Sequence, residues 1–125
     1  MSIHLSVNLI WHFLFAQFPN AIAATRVEDK ATVWLKISPV SSSELEIQAR
    51  FMAAALRDDP KNACCPLLDF LAPPLINGQQ VWLLVMPALR PIDRPEPKTV
   101  QDVLAMVSDL SRGLAFLHQH NVAHR

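Results

Sequence analysis

Ten prolines against two glycines constrain this 125-residue chain more than any other feature. Proline fixes φ and donates no backbone hydrogen bond, so it ends helices and stays out of central strands. Pro87, Pro91, Pro95 and Pro97 crowd one short stretch, which reads as an extended linker. Gly78 and Gly113 are the whole glycine supply, so no glycine-rich phosphate cradle can be built. Apolar residues make up 51% of the chain, too many for a disordered segment and enough for one domain with one core. Lys+Arg and Asp+Glu balance at 11 each, which excludes a basic nucleic-acid binder. The adjacent pair Cys64-Cys65 offers neither a disulfide framework nor spaced metal ligands. A reduced intracellular setting, cytoplasmic or nuclear, is the expectation.

Residues 1–20 form an apolar amino-terminal segment whose richest part is LSVNLIWHFLFAQF, residues 5–18. It is too short for a membrane span, which needs about 20 apolar residues. AIAA at 21–24 resembles a small-residue cleavage site, but no Lys or Arg precedes Arg26, so secretion is the minor alternative.

Beyond it the chain falls into strands and helices. AIAATRV (21–27) and ATVWLKI (31–37) flank a polar Glu28-Asp29-Lys30 loop and predict a hairpin. Ser38-Pro39 suits a helix start, and 40–57 then carries Ile47, Phe51, Ala54 and Ala55 on one helical face. A second hairpin is expected from Pro66–Leu71 and Gln80–Met86, turning at Asn77-Gly78, because both residues tolerate positive φ. After the linker, Thr99 caps a long helix with Asp102 as its box partner. Val103, Met106, Val107, Leu110, Leu114 and Leu117 place an apolar stripe along it, facing a core. Gly113 inside that helix suggests close packing.

The order strand, strand, helix, strand, strand, linker, helix, with VWLK at 33–36, VWLLVMP at 81–87 and GLAFLHQHNVAHR at 113–125, resembles the protein kinase superfamily. RDDPKNACCPLLDFL and LVMPALRP resemble a divergent fungal group of these kinases. The resemblance covers residues 21–125 and implies an α+β fold. Residues 21–86 would be a kinase-like small lobe, an antiparallel sheet plus one helix; 87–98 would be hinge and linker; 99–125 would be the truncated start of the large lobe. It implies ATP with Mg²⁺ as cofactor and phosphoryl transfer to Ser/Thr of a protein substrate. Such transfer rests on positioning and charge neutralisation, hence a fixed cation on the phosphates. Lys36 matches that cation, and Glu44 matches the helix carboxylate that holds it, with Glu46 as fallback. Glu44 could instead close a capping box with Ser41. Val85 matches the gatekeeper at the back of the adenine site, and Met86 and Ala88 the hinge contacts, since Pro87 has no N–H to offer. His124 and Arg125 match the start of the His-Arg-Asp motif. A rival reading takes His118, His120 and His124 as a metal set.

Three departures shape the expected activity. IWHFLFAQFPN, where the resemblance implies a glycine-rich loop, has no glycine. Trp34 falls on the same strand face as Lys36, where the family keeps a small residue over the adenine, so occlusion of that site is expected. The catalytic Asp would be residue 126, and the Mg²⁺ ligands would follow it. The chain as given is therefore expected to be inactive alone, and the alternative is a non-catalytic pseudokinase fragment acting as a protein-binding module. In a complete domain the rest of the large lobe would bury the 103–117 stripe. Here the 99–120 helix is left to a protein partner or to self-association.

Overall fold

The computed structural model describes residues 5–6, 21–72, 75–89 and 95–124; the expectations for the rest of the 1–20 segment, for 90–94 of the linker and for Arg125 lie outside them. The chain is α+β. Strands β1 (Leu5–Ser6), β2 (Ala21–Arg26), β3 (Thr32–Pro39), β4 (Asp69–Leu71) and β5 (Val81–Pro87) form one antiparallel sheet in the order β1-β2-β3-β5-β4. Helices α1 (Glu44–Met52) and α2 (Ala54–Arg57) lie between β3 and β4 in sequence, and α3 (Val100–Gln119) follows the linker. Where one core was expected, there are two compact units. Met1–Ala49 with Cys65–Ala88 make one, and Arg50–Cys64 with Leu89–Arg125 make the other.

In the first unit, the β2–β3 hairpin forms where the alternation places it, with Ala24 opposite Val33 and Ile22 opposite Leu35. Its loop is held by chemistry local to it. The Arg26 guanidinium donates through both Nε and Nη2 to the Asp29 carboxylate, whose Oδ1 also accepts from Ala31 N at 3.1 Å. Lys30 takes the left-handed turn position with φ 59°. The side-chain bond from Arg26 holds the Asp29 carboxyl down at about 2. The contribution of this carboxylate to the loop is therefore complete above the ordinary carboxylate value near 4 and is lost as pH falls through about 2. The amide resonance of Ala31 is expected to titrate with a midpoint near 2, and Arg26→Gln should move that midpoint back toward 4. A midpoint unmoved by the substitution would refute the assignment.

AIAA, the cleavage-site candidate, is part of β2, with Ala23 and Ala24 buried in the sheet. The second hairpin turns as expected. Asn77 (φ 49°) and Gly78 (φ 75°) are both left-handed, and Ile76 and Gln79 exchange two backbone bonds of 3.0 and 2.9 Å. Its first strand is shorter than Pro66–Leu71, covering Asp69–Leu71.

Two expectations about the first helix fail for identifiable reasons. Ser38 and Pro39 do not start it; they continue β3, paired with Trp82 and Val81 of β5. Proline's missing donor is tolerated there because it occupies the strand's last position. Nor is the helix continuous: Ala53 turns extended (φ −63°, ψ 148°) and separates α1 from α2, leaving Ala54 and Ala55 exposed.

The second unit is organised on Phe51, fully buried, with the Phe116 and His120 rings at 5.8 and 5.7 Å between centroids. Asn62 closes the broken helix by donating to the Phe51 and Leu56 carbonyls at 2.9 and 3.0 Å. Asn62 thereby adds a side-chain donor at both helix ends, where the Leu56 carbonyl also accepts from Asp59 N at 3.1 Å. Thr99 and Asp102 form the full capping box on α3, and the backbone N–H of Lys98 with the bonds from Thr99 holds the Asp102 carboxyl below its usual range. The side of α3 that packs is not the expected stripe. Phe116 is buried, His120 is partly buried, and a Cβ on Gly113 would stand 3.1 Å from the Ala63 Cβ. Val103, Val107, Leu110 and Leu114 are exposed instead.

Candidate functional site

Strand pairing sorts the sheet's residues into two faces, since side chains alternate along each strand and partners directly opposite share a side. Lys36 lies opposite Ala21 and Leu84, and Trp34 opposite Ala23 and Met86. These six residues share one face. On the other, Ala24, Val33, Leu35 and Val85 form the buried core with Ile22 and Leu71 against it.

Lys36 is the charged member of these six residues, and it is held there. Its Nζ donates to Glu44 Oε1 at the start of α1, and both side chains are roughly two-thirds buried. Glu44 reaches it because β3 runs on to Pro39 before the chain turns through Val40–Ser43. Ser42 N donates to the Pro39 carbonyl at 2.9 Å, and Ser42 Oγ accepts from Glu44 N at 3.2 Å. Ser42 thus serves the helix start, and the Glu44 carboxylate goes to Lys36. Glu46 is exposed.

Gln48, one helical turn beyond Glu44, donates from Nε2 to Met86 Sδ at 3.6 Å. The sequence had not singled it out, although the i, i+4 spacing from Glu44 puts it on the same helix side. Its Oε1 and the Oγ of Ser38 are buried without a hydrogen-bond partner. Ser38 follows Lys36 by two residues on the same face, so both orphaned oxygens belong to the polar side of the site.

Val85 does not lie on the face that carries Lys36. Val85 is fully buried in the core cluster opposite Leu35, on the face turned away from Lys36. Met86 takes the place on the Lys36 face, beside Trp34. Ala88 lies exposed one residue past the end of β5. His124 is exposed beyond α3 and belongs to the second unit.

The rival histidine set does not assemble. Among the described residues no three His, Cys, Asp or Glu side chains come together to hold a metal ion. His120 instead sets its Nδ1 2.8 Å from the Phe116 carbonyl and its ring 4.5 Å from the Phe116 ring. Burial pushes the Cys64 thiol up, which disfavours the thiolate needed for nucleophilic or metal chemistry. Among the described residues no helix is long and apolar enough to cross a membrane. Compared with known proteins, the chain matches no family model, no curated protein and no solved structure.

Proposed function

We propose that this chain is a protein-kinase-like small lobe with a vestigial nucleotide site, followed by the first helix of a large lobe. The observation that carries the reading is the Lys36–Glu44 ion pair, formed between the third strand and the helix after it. In protein kinases a lysine on the third strand, paired with a helix glutamate, holds the nucleotide phosphates. The element order, with the helices between β3 and β4, agrees with it.

In this reading Lys36 meets the phosphates, Glu44 fixes the ammonium, and Met86 with Ala88 borders the base. Bound ATP with Mg²⁺ would supply the transferable phosphoryl group. The chain's own residues contribute a held cation beside the part-buried Ala21, Trp34 and Met86, while Ala23 and Leu84 on the same face are buried. Trp34 on that same face, and the missing glycine-rich loop, make nucleotide binding weak. The second reading, a non-catalytic protein-binding module, is favoured by that tryptophan and by the exposed apolar side of α3.

Nucleotide-dependent thermal stabilisation separates the two. Millimolar Mg-ATP is expected to raise the melting temperature by a few degrees. That corresponds to about 1 kcal/mol, the gain when a ligand several-fold above its Kd binds only the folded state. Lys36→Ala should abolish the shift, with an unchanged melting temperature in the absence of nucleotide as the control for folding. No shift in either the parent chain or a Trp34→Ala variant would leave the binding-module reading.

A further inference from the structure

The tip of the second hairpin carries a chemically reactive pair. Asn77 and Gly78 are both exposed, and they lie outside the β4–β5 ladder, whose last pair is Leu71 with Leu83. An asparagine side chain is an electrophile, because its Cγ can be attacked by the backbone nitrogen of the next residue. Three observations bear on that attack, and all three favour it here.

First, the next residue has no side chain to block the approach, and even a Cβ built on Gly78 would meet nothing within 4 Å. Second, the Gly78 N–H has no acceptor among the described residues, because the turn's two backbone bonds run between Ile76 and Gln79. Third, the Asn77 side-chain amide makes no hydrogen bond among the described residues, so nothing restrains its Cγ. The other described asparagines fail these tests. The Asn62 amide is engaged by Phe51 O, Leu56 O and Cys64 N. Asn121 is left-handed like Asn77, with φ 60°, but the β-branched Val122 follows it and already donates its N–H to Leu117 O at 3.0 Å.

We infer that Asn77-Gly78 is a self-modification site, at which the folded chain converts Asn77 to isoaspartate and aspartate without an enzyme. The Gly78 nitrogen gives up its proton and bonds to Asn77 Cγ. The Cγ–Nδ2 bond breaks, and the side-chain nitrogen takes a proton and leaves as ammonia. Water then opens the cyclic imide. Opening at Cγ gives aspartate; opening at the original backbone carbonyl leaves the chain running through the side chain, as isoaspartate. The turn must swing out for the ring to close, and two hydrogen bonds at an isolated bridge oppose that local opening.

The products differ in consequence, although each adds one negative charge to a chain balanced at 11 and 11. Aspartate tolerates positive φ and keeps the turn. Isoaspartate inserts an extra backbone carbon into a two-residue loop whose positions are both left-handed, so the turn is lost. Strand β4, at the edge of the sheet and paired with β5 alone, then loses the closure that sets its register. This inference stands apart from the nucleotide reading and survives its failure.

Ageing the whole chain tests it. The chain is held warm at mildly alkaline pH, digested, and mapped by mass spectrometry for amide-to-acid conversion. Acid at Asn77 is expected to accumulate at least tenfold faster than at Asn62 or Asn121. Asn77→Gly keeps a left-handed turn and should abolish the acid product. The isoaspartate form, separated by chromatography, should melt below the parent chain, whereas Asn77→Asp should melt with it. An Asn77 that stays intact while a free peptide of residues 75–80 converts overturns the inference, because the turn then protects the bond. So does conversion at Asn77 no faster than at the other two asparagines, or an isoaspartate form that melts with the parent.

Discussion

Phe51→Ala is expected to remove about 3–5 kcal/mol of stability, the usual cost of deleting a fully buried phenylalanine. The ring has no exposed surface and stands within 6 Å of both the Phe116 and His120 rings. No neighbour can collapse easily into the space. Asn62 pins the Phe51 carbonyl, Arg50 donates to the His120 carbonyl at 3.0 Å, and Gly113 leaves no room for a Cβ beside Ala63. Small domains are stable by only about 5–15 kcal/mol in total, so the substitution consumes a large share. Urea unfolding of parent and variant gives the number. A loss below about 1 kcal/mol would mean that Phe51 is not the centre of the second unit. Phe116→Ala should cost a similar amount. The double variant should cost less than the sum, because the first deletion already empties the contact that the second would break.

The elements visible in the sequence are those fixed by chemistry local to them. Asn77-Gly78 specifies its turn because both positions need positive φ, and Thr99 with Asp102 specifies where α3 begins because each satisfies the other's backbone donor. The β2–β3 hairpin is legible from its alternation and its charged loop. Ser38-Pro39 misleads because the pair suits a helix start and the last positions of a strand equally well; pairing with Trp82 and Val81 decides between them, and that is tertiary information. Ala53 carries no sequence mark of a helix break, since alanine is the best helix former.

In the site, Lys36 and Glu44 could be paired from their order along the chain, because one strand end and one helix turn separate them. Val85 and Met86 could not be told apart in the same way. Residues 81–86 are apolar throughout, so no polar position marks which side of β5 faces the core. The register Lys36 to Leu84 supplies that mark and moves Met86 to the lysine's face. On α3 the apolar count is highest along the 103–117 stripe, which draws attention away from Gly113 and Phe116. A glycine inside the helix, with a phenylalanine three residues on, is the signal for the packed side, which meets Ala63.

Trp34→Ala is expected to tighten Mg-ATP binding at least tenfold, a gain of about 1.4 kcal/mol or more. The indole shares its face with Lys36, Met86 and Ala23, and Ala23 is buried opposite it, so the residue most able to cover the base position is the tryptophan itself. A purine and an indole are similar flat rings competing for the same apolar ground. If Trp34 instead offered its face to the base, its removal would forfeit a stacking contact worth about 1–3 kcal/mol, and the sign would reverse. Isothermal titration with Mg-ATP on Trp34→Ala reads that sign directly. Lys36→Ala made in the Trp34→Ala background is the control, because relief of occlusion can help only a nucleotide whose phosphates Lys36 still holds. Tighter binding that survives the loss of Lys36 would place the nucleotide elsewhere and detach Trp34 from the lysine's role. Weaker binding in the single variant would make the tryptophan a platform on which the base stacks.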